Sequence, residues 1–232
     1  MASVCYNLKM ATTITPKRKN FKELVPFFDQ VSHTNFHKDL MKTVIQNLAL
    51  KNNMLGLEIG SGTGCLSFQI CQSHKIIMHC TDSLQEMLTQ GEISYPHHQI
   101  VRSRLDMDTM MPPVRENFDF AVGSLVFHLF GNKQKSLKFL HSILRPSAQI
   151  LFLTQSQLLN REMAEKWVQT MQLSDIEKEL VLGMTNSGLQ NGLLSNSEIS
   201  SLFENSGFTQ IKITPVGFEN SLILIHALRS PA

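Results

Sequence analysis

Three glycines stand at alternate positions in Leu57-Glu58-Ile59-Gly60-Ser61-Gly62-Thr63-Gly64, between an apolar run and a helical pattern. Glycines there let the backbone bend tightly and leave no side chain where a ligand could lie against the N–H groups of a helix start. Glu58 precedes the first glycine by two residues, a costly place for a carboxylate unless it accepts hydrogen bonds or faces a cation. Capping the glycine loop through backbone N–H groups would satisfy it, and both roles can coexist. Asp82 closes the next apolar run, where nucleotide-binding α/β folds place an acid that accepts both hydroxyls of a ribose. Its alternative is the N-cap of a helix beginning at 82–86. Asp106 or Asp108 follows the third run and could accept an exocyclic amine of adenine, with Leu105 or Met107 covering the ring; spacing does not choose between them, nor exclude ordinary loop acids. The pattern is GxGxG, and Cys65 occupies the place where a dinucleotide fold wants a third small residue, which weakens a nicotinamide reading.

These residues need a scaffold that brings strand ends together. Apolar runs at 54–60, 75–82, 99–106, 118–126 and 149–154 alternate with helical stretches near 64–72, 84–90 and 133–144, the last ending at Arg145-Pro146, while Pro112 and Pro113 mark a loop. Strands alternating with helices predict a parallel sheet with right-handed crossovers. The runs 208–216 and 220–228 are separated only by Gly217, Phe218 and Glu219, too short for a parallel crossover, so they form an antiparallel pair. The expected fold class is therefore α/β, a seven-stranded, mostly parallel sheet with an antiparallel C-terminal hairpin and helices on both faces. Phe36, Leu40, Met41, Val44, Ile45 and Leu48 form one helical stripe ahead of the sheet. Ser174 with Glu177 and Ser195 with Glu198 are capping boxes, the first opening a helix over 175–183 and the second a helix closed by Gly207. The segment 155–194 is a helical insertion at the sheet edge, where substrate sites are commonly shaped.

The chain has 232 residues, 42% hydrophobic and 17% charged, enough for one sizeable core and too apolar for disorder. No run approaches the roughly 18 apolar residues of a membrane helix. Residues 1–22 hold five basic residues and no acid, leaving 16 basic against 19 acidic beyond them. The body is mildly acidic, which argues against a nucleic-acid binder and against a membrane partner. A disordered basic leader over 1–22 is expected, an organellar transit peptide being the alternative, with a single domain over 23–232. Cys5, Cys65, Cys71 and Cys80 show no metal spacing and read as reduced, mostly buried thiols in a cytoplasmic protein. No metal site is expected.

LEIGSGTG, followed by TDSLQEML, LDMDTMMPP, ENFDFAVGSLVFHLF, LRPSAQILFLT and the closing SGF with two strands, resembles class I, Rossmann-like S-adenosylmethionine-dependent methyltransferases over about 36–229. The resemblance implies S-adenosyl-L-methionine as cofactor. It would set Glu58 facing the methionine amino group, Gly60, Ser61, Gly62 and Gly64 against the cofactor, Asp82 with Ser83 at the ribose, Asp106 with Met107 at the adenine, and Gly123 with Ser124 beside the sulfonium. NFDFAVGSLVFHLFGN and the helical insertion are most similar to small-molecule methyltransferases, with the malonyl-carrier-protein O-methyltransferases one such branch. Two places depart from the family pattern: Pro146-Ser147-Ala148 replaces Pro-Gly-Gly, and Phe27-Phe28-Asp29 stands where an aromatic Tyr is usual.

Methyl transfer from a sulfonium is an in-line displacement needing alignment, desolvation and, for a weak nucleophile, a base. His128, His33 and His37 are candidates, each weighed against an ordinary packed or surface histidine. His97 and His98 are adjacent and expected to point apart. The acceptor implied is a small molecule or a carrier-bound acyl group. A methyltransferase-like module without catalysis is the alternative, and a nicotinamide oxidoreductase a third. Trp167, with Met163, Met171, Val181, Leu182 and Met184, is expected on the acceptor half of the cleft, core packing being the other outcome.

Overall fold

The structure is a computed structural model that describes residues 23–109 and 117–231. The basic leader and the Pro112-Pro113 loop lie outside the described residues. Seven strands, β1 Leu55–Ile59, β2 Ile77–Asp82, β3 Ile100–Arg104, β4 Phe118–Ser124, β5 Leu144–Gln155, β6 Phe208–Val216 and β7 Leu222–Arg229, form one sheet in the order β3-β2-β1-β4-β5-β7-β6. Neighbours from β3 to β5 are parallel, and β7 is antiparallel to both β5 and β6. The order reverses between β1 and β4, and the crevice at such a reversal, at the carboxyl ends of the strands, is where open α/β sheets bind ligands.

Eight α-helices accompany the strands among the described residues: α1 Val25–Ser32, α2 Asn35–Gln46, α3 Cys65–Ser73, α4 Gln85–Ser94, α5 Lys133–Ile143, α6 Arg161–Thr170, α7 Asp175–Asn191 and α8 Asn196–Glu204. Strand side chains alternate between faces, so each central strand feeds two cores. Leu151 and Leu153 of β5 and Leu222 and Leu224 of β7 pack with Met41 of α2, Ile70 of α3 and Val181 of α7. Their neighbours Ile150, Phe152, Ile223 and Ile225 pack with Leu137 and Leu140 of α5 and Phe203 of α8. Helices cover both faces, as the alternating runs predicted.

Three local expectations are corrected. β5 begins at Leu144, directly after α5 ends at Ile143, so Arg145-Pro146 follows the helix as expected but lies inside a strand that starts five residues before 149. Its pairing with β4 jumps from Phe118↔Leu144 to Phe120↔Gln149, a bulge where Pro146 removes no ladder bond. Ser147 there has φ of +62°, the left-handed region that glycine enters freely, so the departure from Pro-Gly-Gly falls on a strained residue. The helix opened by the Ser174 box continues to Asn191, well past 183. Helix α1, with Pro26 in its first turn, had no periodic signal strong enough to anticipate it. The imidazoles of His97 and His98 do not point apart; they stack with centroids 4.8 Å apart. No helix among the described residues is long and apolar enough to cross a membrane.

Candidate active site

The glycine loop leaves β1 with Gly60 and Gly62 at φ of +62° and +54°, so a side chain at either position would be strained. Beside Gly62 the space is open: a Cβ there would meet nothing within 4 Å. The loop is tied to β2, with the Ser61 N–H donating to the Thr81 carbonyl at 2.9 Å and the Gly62 N–H to Asp82 Oδ2 at 3.0 Å. The other carboxylate oxygen of Asp82 accepts the Leu84 N–H at 2.9 Å. Leu84 itself is the N-cap of α4, so Asp82 bridges the loops after β1 and β2 and does not cap the helix. Burial pushes its carboxyl above the ordinary range, opposed by the N–H groups of Leu84, Gly62 and Ser83. A carboxylate accepts at about four lone-pair sites, so these bonds leave capacity for a diol.

Glu58 is only 3% exposed. Its Oε2 accepts from the Ser67 N–H at 3.1 Å, the Ser67 hydroxyl and, at 3.7 Å, the Cys80 thiol. The N-cap of α3 is Gly64, which has no side chain to offer, and Glu58 supplies the missing acceptor to the first turn from the neighbouring strand. It thus caps α3 and not the glycine loop. Desolvation pushes its pKa up to about 7, against the opposing bonds from Ser67.

Gly60 and Gly123 also have a packing role. A Cβ on either would collide with Val126, and on Gly123 also with the Phe152 ring, so these glycines admit a packed valine between β1 and β4. Next to them, the Ser124 hydroxyl is buried with no partner among the described residues. Past β3, Met107 and Leu105 are buried in the apolar cluster under the loop. Asp106 accepts the Asp108 N–H at 3.0 Å and the Thr109 hydroxyl, whereas Asp108 accepts the Gly131 N–H at 2.8 Å. Asp106 thus bonds within its own turn, and Asp108 joins the loops after β3 and β4.

The amino-terminal helices supply what spacing could not show. Ser32, at the end of α1, accepts through its hydroxyl from Thr63 at 3.3 Å and from the Tyr95 hydroxyl at 2.9 Å. The Ser32 carbonyl accepts from the Cys65 thiol and again from Tyr95. This buried polar knot seats α1 on the glycine loop. Only the position of Phe27-Phe28-Asp29 before the sheet hinted at a cap.

The three candidate histidines separate. His33 is half exposed, lies 3.9 Å from Asp29 and stacks on Tyr95. His37 has a buried Nδ1 without a partner among the described residues, and burial lowers its pKa to about 4, with Lys38 adding to the effect. His128, 6% exposed, sits past β4 with Nε2 3.0 Å from the Ser187 hydroxyl and 3.4 Å from the Gln155 amide nitrogen. Desolvation, and then Lys133, lowers its pKa to about 4. Trp167 does not line the cleft. It is 2% exposed, stacked on Phe218 with centroids 5.8 Å apart and edge-on to Phe36, because α6 packs beside α7 and turns this side chain toward α2 and the turn before β7. Among the described residues no group of three His, Cys, Asp or Glu side chains could hold a metal ion.

The parallel order from β3 to β4 thus brings Gly60, Ser61, Gly62, Gly64, Asp82, Ser83, Asp106, Met107, Gly123 and Ser124 to one edge, with His128 and Lys133 beyond them. Gly62 offers open space, Asp82 spare acceptor sites and Ser124 an unused hydroxyl, which suit an adenosyl amino acid.

Residues 57–152 match the methyltransferase domain family. No curated protein is detectably similar in sequence. Among solved structures, the chain is similar to one in the complex of the Haloferax volcanii Trm112 methyltransferase activator with a methyltransferase, at TM-score 0.69 and 12% identity, covering 90% of this chain and 97% of that one. It is also similar to an S-adenosylmethionine-dependent methyltransferase from Aquifex aeolicus, at TM-score 0.63 and 15% identity, covering 90% and 98%. A third is the Haemonchus contortus phosphoethanolamine N-methyltransferase 2 in complex with S-adenosyl-L-methionine, at TM-score 0.67 and 11% identity, covering 92% of this chain and 58% of that one. The stretch that matches this family lies in a sheet with the fold of S-adenosylmethionine-dependent methyltransferases.

Proposed function

We propose that residues 23–232 act as one methyltransferase unit, transferring a methyl group from S-adenosyl-L-methionine to a small molecule or a carrier-bound acyl group, with malonyl-carrier-protein O-methylation as the branch behind the second class. The observation that carries this reading is the clamp of Asp82 across the loops after β1 and β2, beside open space at Gly62. The cofactor, when bound, supplies a methyl group already activated on a sulfonium. Asp82 and Ser83 bind the ribose, Asp106 and Met107 border the adenine, and Gly60, Ser61, Gly62 and Gly64 shape the floor. Glu58 acts from beneath, holding α3 in place for the loop above it. Gly123 and Ser124 flank the reacting end, and His128, His33 and His37 remain the candidates for moving a proton. The partner is the acceptor alone, with no nucleic acid or membrane surface. Buried free thiols at Cys65, Cys71 and Cys80 support a cytoplasmic location.

The test is calorimetric titration with S-adenosylmethionine and S-adenosylhomocysteine. Each lost hydrogen bond to a charged acceptor costs about 1.5–3 kcal/mol, so Asp82→Ala should weaken binding roughly 100-fold or more. No binding by a folded protein removes the reading. A methyltransferase-like module without catalysis has one observation in its favour: the N–H groups of Ser61, Gly62 and Gly64 are all bonded within the protein. Binding without turnover across a broad acceptor panel would select it.

A further inference from the structure

A small hollow lies past the carboxyl ends of β4 and β5, walled by Phe127, Leu193 and Ile199 and lined on its polar side by His128, Lys133, Thr154 and Gln155. No carboxylate lines it. The hydrogen bonds around it assign the protons. Gln155 Nε2 donates to the Met184 carbonyl at 3.3 Å, and Gln155 Oε1 accepts from the Thr154 hydroxyl at 3.1 Å, so the nitrogen 3.4 Å from His128 is the amide's donor end. His128 Nε2 must then accept, and the imidazole proton sits on Nδ1. That atom is buried with no partner among the described residues. Leaving such a donor unpaired costs about 1–3 kcal/mol.

The second donor is an ammonium. Lys133 Nζ donates to the carbonyls of His128 at 3.3 Å and Phe130 at 3.1 Å, which uses two of its three N–H bonds. Burial lowers its pKa, and Asp108, the acid whose charge reaches it, accepts the N–H groups of Gly131 and Asn132. A desolvated cation and a histidine with an unpaired N–H line the same hollow, with no lining carboxylate among the described residues, and the pair is complementary to an anion. The hollow has room for about one water molecule, a group-sized space that suits a carboxylate better than a phosphate.

We propose that this hollow receives the carboxylate of an otherwise apolar methyl acceptor, bound by Lys133 Nζ and His128 Nδ1–H at the edge formed by β4 and β5. The inference rests on the methyl-transfer reading and narrows its acceptor to a carboxylate-bearing molecule, the apolar wall taking the adjoining carbon chain.

The test titrates the full chain with hexanoate, hexan-1-ol and hexylamine by calorimetry, and follows the imidazole nitrogens by long-range ¹⁵N–¹H correlation. Hexanoate should bind in the millimolar range, about the affinity open to one anchored group, with the alcohol and amine at least tenfold weaker. Lys133→Met should weaken hexanoate at least tenfold and Lys133→Arg should retain most of the binding. In the unsubstituted protein hexanoate should shift the His128 Nδ1 resonance, a readout that does not depend on the variants folding. Equal binding of hexanoate and hexylamine, no hexanoate binding at about 10 mM, or an unmoved Nδ1 resonance overturns the anion site. Titration with S-adenosylhomocysteine separates the two readings. Hexanoate bound by a protein that ignores S-adenosylhomocysteine keeps the anion site and removes methyl transfer, whereas the reverse pattern keeps methyl transfer and removes the anion site.

Discussion

Around the glycine loop the buried carboxylates already have donors: Glu58 holds Ser67, and Asp82 holds Gly62 and Leu84. Past β4 the buried groups are nitrogen donors, and His128 Nδ1 has no acceptor among the described residues. One region ties its carboxylates to its own backbone, which makes it a rigid cradle in which Asp82 still has acceptor sites to offer; the other keeps donors in reserve at a cost in stability. A buried unsatisfied group tends to survive where a ligand supplies its partner. On the proposed reading, preorganisation belongs to the β1–β2 side and acceptor recognition to the β4–β5 side.

The largest expected effect comes from loosening the core that α6 shares with α2 and α3. Trp167, between Phe36 of α2 and Phe218 before β7, is the largest buried side chain of α6. Trp167→Ala should destabilise the protein by about 3–5 kcal/mol in a denaturant melt. If hexanoate binding survives in the folded variant while S-adenosylhomocysteine binding falls, the two sides are separable; if both fall in parallel, they are one unit.

Next in size are two pH slopes of opposite sign. Burial raises Glu58 from 4.5 to about 7, so the folded state holds a proton that the unfolded chain has released across that interval. Stability from this group is present below pH 4.5 and lost as pH rises toward 7, by on the order of 3 kcal/mol. For His128 the folded value falls from 6.5 to about 4, so its contribution is complete above pH 6.5 and lost as pH drops toward 4. His37 has the same sign as His128. Thermal melts from pH 4 to 7.5 should show Glu58→Gln making the profile rise more steeply with pH, and His128→Gln making it rise less. The same change of slope from both variants would erase the contrast between the regions.

The smallest effect concerns the surface pair between Lys166 of α6 and Glu219 at the turn before β7, where both side chains are substantially exposed. Lys166→Ala should change stability by less than about 0.5 kcal/mol, measured by the same melts. A larger loss would mean that the insertion is held by charge and not by Trp167.

Much of this arrangement was legible in the residues. Period-two and period-3.6 apolar patterns, two capping boxes and a three-residue link between the last runs specify strands, helices and an antiparallel end, because these signals act over a few neighbouring residues. Glycines at 60, 62 and 64 and acids at 58 and 82 marked the site's location, since a parallel sheet brings strand ends to one edge. Their duties were less legible. That Glu58 serves α3, that Gly60 and Gly123 make space for Val126, and that Pro146 sits in a bulge depend on which side chain arrives from a distant element.

By itself the amino-acid sequence determined the sheet, its order of elements and the edge where chemistry gathers, through local periodicity and turn length. Only the tertiary structure decided how each buried polar group is satisfied: Ser32 closing over Thr63 and Tyr95, Trp167 turned into the core, and His128 left with an unpaired proton beside Lys133. The reason is that desolvation and hydrogen-bond partners are properties of contacts between residues far apart in the chain, and no spacing within it encodes their geometry.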